Sequence, residues 1–218
     1  MRKPVKGTTE AGRRREQRAH RTRERIVGAA HRLFLDHGYN ATTVEAIARR
    51  AGVAPATVYQ AFGTKQAILS RVLDVEIAGD TAAVSILERD WVREAAEEAD
   101  PRRRLSLIVA GAASVAARTA PIKEVMRDAA ATDRSAAELI EQDTARRLAT
   151  QQALVDLVLE VQPLHDGVDH ATAVATFFAL VNSETHRLLV GHLGWTTEQW
   201  TRWLQTTLEH QLIDPSAT

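Results

Sequence analysis

Apolar residues recur with a helical period along nearly the whole chain. Ile26, Ala29, Ala30, Leu33 and Phe34 fall at i, i+3, i+4, i+7 and i+8. That is one face of a helix beginning at Thr22 and stopped by Gly38. Val44, Ile47, Ala48 and Ala51 form the stripe of a second helix. Thr42-x-x-Glu45 fits a capping box before it, and Gly52 fits its C-terminal stop. After the short Gly52-Val53-Ala54 turn, Pro55 suits the first turn of a third helix, where its missing N–H costs nothing. Val58 and Phe62 face inward from it. Gly63-Thr64 breaks the chain, and Thr64 is placed to cap a fourth helix that starts at Lys65 and carries Ile68, Leu69, Val72 and Leu73.

The remainder also reads as helix. Residues 79–88 suggest a loop, and Asp90 caps a short helix through Trp91 and Val92. Asp100-Pro101 opens a helix running to about Arg118, and Pro121 marks the next start. A long helix covers residues 134–161, before Pro163. Val174, Phe177, Phe178, Val181, Thr185, Leu188 and Leu189 then hold one apolar stripe, closed by Gly191 and Gly194. In GWTTEQW, Thr196 is the N-cap and Gln199 completes a capping box, with Trp195 and Trp200 as the two ends of a hydrophobic staple. No strand pattern and no fixed-period repeat is present. The expectation is an all-α chain of about nine to ten helices.

Composition agrees. Aromatics are only 5% of the 218 residues and alanine is abundant, which favours helices over a β-sandwich. There is no cysteine, so disulfides, thiolate metal sites and a Cys nucleophile are excluded. The longest apolar run, residues 105–117, falls short of the roughly 20 residues of a membrane span. The N-terminus lacks the apolar segment of a signal peptide. A cytoplasmic chain without a membrane partner is expected.

Charge sharpens the picture. The overall net charge is zero, yet residues 1–65 hold 14 Lys/Arg against 5 Asp/Glu, a net +9. The rest hold 14 against 23, a net −9. A basic front end is suited to a polyanion. Residues 1–21, with Arg13, Arg14, Arg15 and Arg18 and almost nothing apolar, read as a disordered basic arm. Backbone or minor-groove contact and simple solvation are both open for it. The expected division is therefore an arm over residues 1–21, a basic helical domain over residues 22–67 that suits a polyanion, and a second helical domain over residues 68–215.

Three short helices with two tight turns are the sequence form of a helix-turn-helix, whose second helix enters the major groove. At about 100° per residue, Ala54, Val58, Ala61 and Phe62 cluster inward. The outer side is centred on Ala56 and Gln60 and flanked by Pro55, Thr57 and Tyr59. It carries no charge. Gln pairs bidentately with adenine, and Ala or Thr touches a thymine methyl. Pro55, Ala56, Thr57 and Gln60 are thus the candidate base readers. Tyr59, and Thr42, Thr43 and Lys65 at helix N-termini, are the candidate phosphate contacts. Arg49 and Arg50 add charge nearby.

The segment ATTVEAIARRAGVAPATVYQAFGTKQAIL, residues 41–69, resembles the DNA-binding domain of TetR-family transcriptional regulators. RTRERIVGAAHRLFLDHGY resembles that family's first helix, and GWTTEQWTRWLQTTLEHQL resembles the end of a group of actinobacterial members. The resemblance implies a homodimer, a near-palindromic DNA operator and a C-terminal effector pocket; a repressor released by a small-molecule effector is expected, with a transcriptional activator or a DNA-independent helical dimer as the alternatives. It also implies that the last two helices pair with their mates, which nominates Phe177, Val181, Leu188, Trp200, Leu204 and Leu208 for the dimer interface. Two positions depart from the family pattern: Ala54, where a capping Ser is frequent, and Ala61, where a larger polar residue is frequent.

Outside this motif the chemistry is sparse. Asn182, one turn from Phe178 on the apolar stripe, is either an effector contact or a satisfied buried polar group. The tryptophans read as packing residues. His165, Asp166, Asp169 and His170 read as a polar turn before a helix rather than a metal site. No nucleophile elbow, phosphate loop or zinc helix motif is present, so neither an enzyme nor a cofactor is expected.

Overall fold

A computed structural model describes residues 10–79, 85–161 and 163–213. Among them are ten α-helices and no strand. The chain divides into two compact units, Met1–Val72 and Leu73–Thr218. The division falls inside the fourth helix, five residues beyond the boundary expected at 67/68.

The front unit holds α1 (Glu10–Ala41), α2 (Val44–Ala51), α3 (Pro55–Phe62) and the first half of α4 (Lys65–Ala78). Its core is the set that the periodicity selects. Ile26, Ala30 and Phe34 of α1, Ile47 of α2 and Ile68 and Leu69 of α4 are fully buried, and Val58 and Val72 nearly so. The Phe34 and Tyr39 rings lie 5.7 Å apart. Gly38 adopts φ 77°, a left-handed conformation that kinks α1 where the sequence places its stop.

α1 starts twelve residues earlier than Thr22. Residues 10–21, expected to be disordered, continue it as helix; residues 1–9 lie outside the described part. Once the packed segment from Ile26 has nucleated a helix, each added residue gains a backbone bond without a new nucleus. Arg, Glu, Gln and Ala are all good helix formers. Arg14 also pairs with Glu10 one turn away.

The rear unit is built on α6 (Pro101–Ala130), against which α5 (Asp90–Glu97), α7 (Arg134–Leu159) and α10 (Thr197–Leu212) pack. Two expectations change at α6. It does not stop near Arg118, and Pro121 lies inside it, with the Thr119 hydroxyl donating to the Val115 and Ala116 carbonyls. It is also long and apolar enough to cross a bilayer by length and composition. Leu105, Ile108, Val109, Ala113, Ile122 and Met126 are instead buried in protein. Gly111 permits this packing, because a Cβ there would meet the Trp91 ring at 2.4 Å. Arg104, buried on the same helix, donates to the Ala96, Glu98 and Leu157 carbonyls and so closes the ends of α5 and α7.

The stripe from Val174 to Leu189 is not one helix. α8 (His170–Leu180) ends at Val181, and α9 (Ser183–His186) restarts and runs into a π-helical segment, Arg187–His192. Asn182 has extended backbone angles, and its side-chain oxygen accepts from the Thr185 amide at 2.8 Å, capping α9. The carbonyls freed by the break have polar partners from α7. Gln151 donates to Val181 O at 2.7 Å, and Arg147 donates to Phe178 O at 3.1 Å. Hydrophobic period alone does not reveal such a break, because apolar residues continue at helical spacing on both sides of it, although Leu188 beyond the break is exposed.

Candidate nucleic-acid interface

The α2–α3 turn fixes the direction of α3. Gly52 has φ 65°, and the Val53 amide reaches back to Ala48 O at 3.0 Å, closing the end of α2. The guanidinium of Arg25 on α1 donates to Ala51 O and to Gly52 O, the latter at 3.1 Å. An added Cβ on Gly52 would sit 2.8 Å from that guanidinium. Arg25 thus ties α1 to the turn, a role the sequence does not announce; its signal was an arginine one residue before the core stripe.

Pro55 is the first residue of α3, and Ala54 stands at the N-cap with no side-chain bond. The Thr57 amide instead bonds to Ala54 O at 2.9 Å. Val58 is the buried anchor of the helix. Pro55, Ala56, Tyr59 and Gln60 are exposed and Thr57 is half-exposed, as the sequence expects, but Ala54, expected inward, is also exposed, and Ala61 and Phe62 are only half-buried. Tyr59 is 50% exposed, its ring outward. At the far end the Gly63 amide bonds to Tyr59 O, and the Thr64 hydroxyl accepts from the Ala67 amide at 3.1 Å, capping α4.

Two candidate phosphate contacts are otherwise engaged. Thr42 is only 2% exposed and its hydroxyl donates to Leu33 O and Gly38 O, satisfying carbonyls left by the kink in α1. The N-cap of α2 is therefore Thr43, not Thr42, with its hydroxyl accepting from the Ala46 amide. Glu45 accordingly sits in the first turn rather than closing a box with Thr42. Lys65 turns back into the protein, donating to Tyr39 O at 2.8 Å and Thr42 O at 3.0 Å. Its ammonium also stands 4.0 Å from the Tyr39 ring centroid. Thr43, Arg49 and Arg50, like Tyr59, are exposed.

Residues 26–72 match the model of the family described as bacterial regulatory proteins, tetR family. The match lies wholly within the front unit. Over 87 residues the chain is 36% identical to the HTH-type transcriptional regulator BetI of Rhizobium meliloti, covering 40% of this chain and 39% of that protein. Over 73 residues it is 40% identical to the uncharacterized HTH-type transcriptional regulator YvkB of Bacillus subtilis, covering 34% of this chain and 39% of that protein. The match thus spans about two-fifths of each curated relative.

Solved structures share the fold over far more of the chain. NalD, the secondary repressor of the MexAB-OprM multidrug efflux pump in Pseudomonas aeruginosa, superposes with a TM-score of 0.66 at 20% identity, covering 91% of this chain and 99% of that one. FadR of Bacillus subtilis, in complex with stearoyl-CoA, gives 0.66 at 18% identity over 85% and 96%. A Saccharomonospora viridis protein in complex with choline gives 0.65 at 20% over 88% and 97%. At these identities the fold, a helix-turn-helix unit followed by a helical unit, is what is shared.

The rear-unit expectations need correction. Phe177, Trp200, Leu204 and Leu208 are fully buried in their own unit and Val181 nearly so, which leaves them no surface for a mate. Leu188 alone of the six is exposed, at 50%. Amphipathic period marks the buried face of a helix without saying whether that face meets its own chain or another. Asn182 donates to the Phe178 and Ala179 carbonyls and accepts from Thr185, so its polar atoms are occupied by the helix break. The Phe178 ring lies under the Arg147 guanidinium, 3.7 Å from centroid to Cζ. Around it stand Lys123 with Asp143 at 2.8 Å and Arg127 with Glu184 at 3.1 Å. Burial lowers the Arg147 pKa. Burial alone would raise the Glu184 carboxyl, but hydrogen bonds to its own amide and from Ser183, with Arg127 and Lys123 nearby, hold it below its usual value. His165 contacts Asp166 O, His170 pairs with Asp156, and Asp169 caps α8.

Proposed function

We propose that this chain is a sequence-specific DNA-binding transcriptional regulator, a homodimeric repressor released by a small molecule. The observation that carries the reading is the outer face of α3. It is exposed, uncharged and made of Pro55, Ala56, Thr57 and Gln60, while Val58 holds the helix from behind. Side chains of this size and polarity suit close approach to base edges. Thr43 and Tyr59, with Arg49 and Arg50, are left to position the unit on phosphates. Thr42 and Lys65 act indirectly, by fixing the α1–α2–α4 junction from which those groups project.

A dimer places two α3 helices in successive major grooves, about 34–36 Å apart, on a near-palindromic operator. The outer sides of α8 to α10, with exposed Leu188, are the remaining surface for pairing in the rear unit. Effector binding there releases DNA only if the effector prefers the state with mismatched spacing. Choline and stearoyl-CoA in two fold neighbours support a small organic ligand in the rear unit. The resemblance of the C-terminal segment supports an actinobacterial type of chain, and the fold supports a cytoplasmic one. Transcriptional activation is the second reading, since the same face serves either sign of regulation.

The test is selection of bound duplexes from a random-sequence pool by the full chain. A two-fold symmetric consensus, with affinity falling steeply as salt rises, is the expected result. Recovery of no consensus and no salt-dependent binding overturns the reading.

A further inference from the structure

We propose that the helical extension of α1, residues 10–25, is a second DNA-contacting surface that follows the sugar-phosphate backbone beside the site read by α3. The proposal rests on the DNA-binding reading of the front unit and adds a sequence-independent element to it.

Residues 10–25 carry seven arginines against three glutamates. Four of the arginines, Arg14, Arg18, Arg21 and Arg25, recur at i, i+4, i+7 and i+11, which puts them in one row along the helix. At about 1.5 Å per residue, the row rises in steps of roughly 4.5 to 6 Å over about 16 Å. That spacing is of the order of the charge spacing along a nucleic-acid strand.

Arg25 fixes where the row points. Its guanidinium holds the Ala51 and Gly52 carbonyls at the turn that leads directly into α3. The face of α1 bearing the row is therefore the face turned to that turn. Arg14, Arg18 and Arg21 continue the same face away from the core, all exposed. Arg18 and Arg21 make no ion pair among the described residues, and the Arg14 pair with Glu10 is exposed at both ends. No apolar side of residues 10–21 is buried, so tertiary packing does not account for the helix. Charge complementarity selects the occupant: a duplex already seated on α3 brings its phosphates to the basic row.

The experiment uses the full chain and a fluorescein-labelled mixed-sequence duplex, with anisotropy titrations between 50 and 200 mM salt, the range over which phosphate contacts dominate. The variant replaces Arg14, Arg18 and Arg21 together with Gln, which keeps helix propensity; Arg25 is left intact. Three lost phosphate contacts reduce the slope of log K against log salt by about 2.7, so wild type weakens about 40-fold more than the variant across this range. A triple Lys variant should restore the wild-type slope. Unchanged slope in the Gln variant, with wild type itself steep, overturns the proposal but not the regulator reading. Absence of salt-dependent binding by wild type overturns both. Should circular dichroism show that the triple Gln variant unfolds, the single Arg18→Gln variant decides: a slope lower by about 0.9 supports the row as a phosphate contact, and an unchanged slope overturns it.

Discussion

The ammonium of Lys65 lies 4.0 Å from the Tyr39 ring centroid and donates to the Tyr39 carbonyl at 2.8 Å. A lysine at the start of a helix reads from sequence as an anion contact. Here it closes the kinked end of α1, whose carbonyls have lost helical partners beyond Gly38. Lys65→Ala should destabilise the front unit by about 1–2 kcal/mol, from the lost charge-assisted bonds and cation–π contact. Urea denaturation measures it. Unchanged stability with weakened DNA binding would return Lys65 to the role of phosphate contact.

Gln60 is exposed at the centre of the α3 face. Gln60→Ala should alter base preference at one operator position, with discrimination there falling by about 1–3 kcal/mol. Selected consensus sequences for the two proteins supply the comparison. A uniform loss of affinity across all sequences would show that Gln60 positions the helix rather than reading bases.

Ala54 leaves the α3 N-cap without a side-chain partner. Ala54→Ser should stabilise the front unit by about 0.5 kcal/mol, the low end of capping effects. The gain is small because the Thr57 amide already bonds to Ala54 O. Thermal melting checks the sign, and a loss of stability would show that the serine hydroxyl does not reach the first turn.

Gln151 is buried and donates to the carbonyl freed at Val181. Gln151→Leu should cost about 1–3 kcal/mol, because it leaves that carbonyl without a donor. If stability is unaffected, the α8–α9 break does not depend on its partner from α7.

His186 is held below its usual pKa by burial, with its ring edge-on to Trp200 at 5.0 Å between centroids. The folded state thus disfavours the proton relative to the unfolded chain. The sign follows from linkage: stability is full above the unfolded value near 6.5 and declines as pH falls through the depressed folded value. His186→Gln should flatten this part of the stability–pH curve. An identical pH dependence in wild type and variant would remove His186 as its source.

The sequence by itself determined where the front-unit helices break and which side of α3 carries Ala56 and Gln60, though neither the start of α1 nor the cap of α2. These are local properties: Gly38, Gly52 and Gly63 set the breaks, and a period near 3.6 sorts Val58 inward and Gln60 outward. Helical content of the rear unit was legible for the same reason. Tertiary structure decided what distant residues do to one another. Thr42 and Lys65 look equally suited to phosphate and to carbonyls; the kink at Gly38 supplies the carbonyls nearby. Phe177, Trp200 and Leu208 are apolar whichever partner covers them, and their own unit does. At the Val181–Asn182 break, Gln151 and Arg147 of another helix satisfy backbone groups that it frees. Periodicity records that a face is buried; only packing records against what.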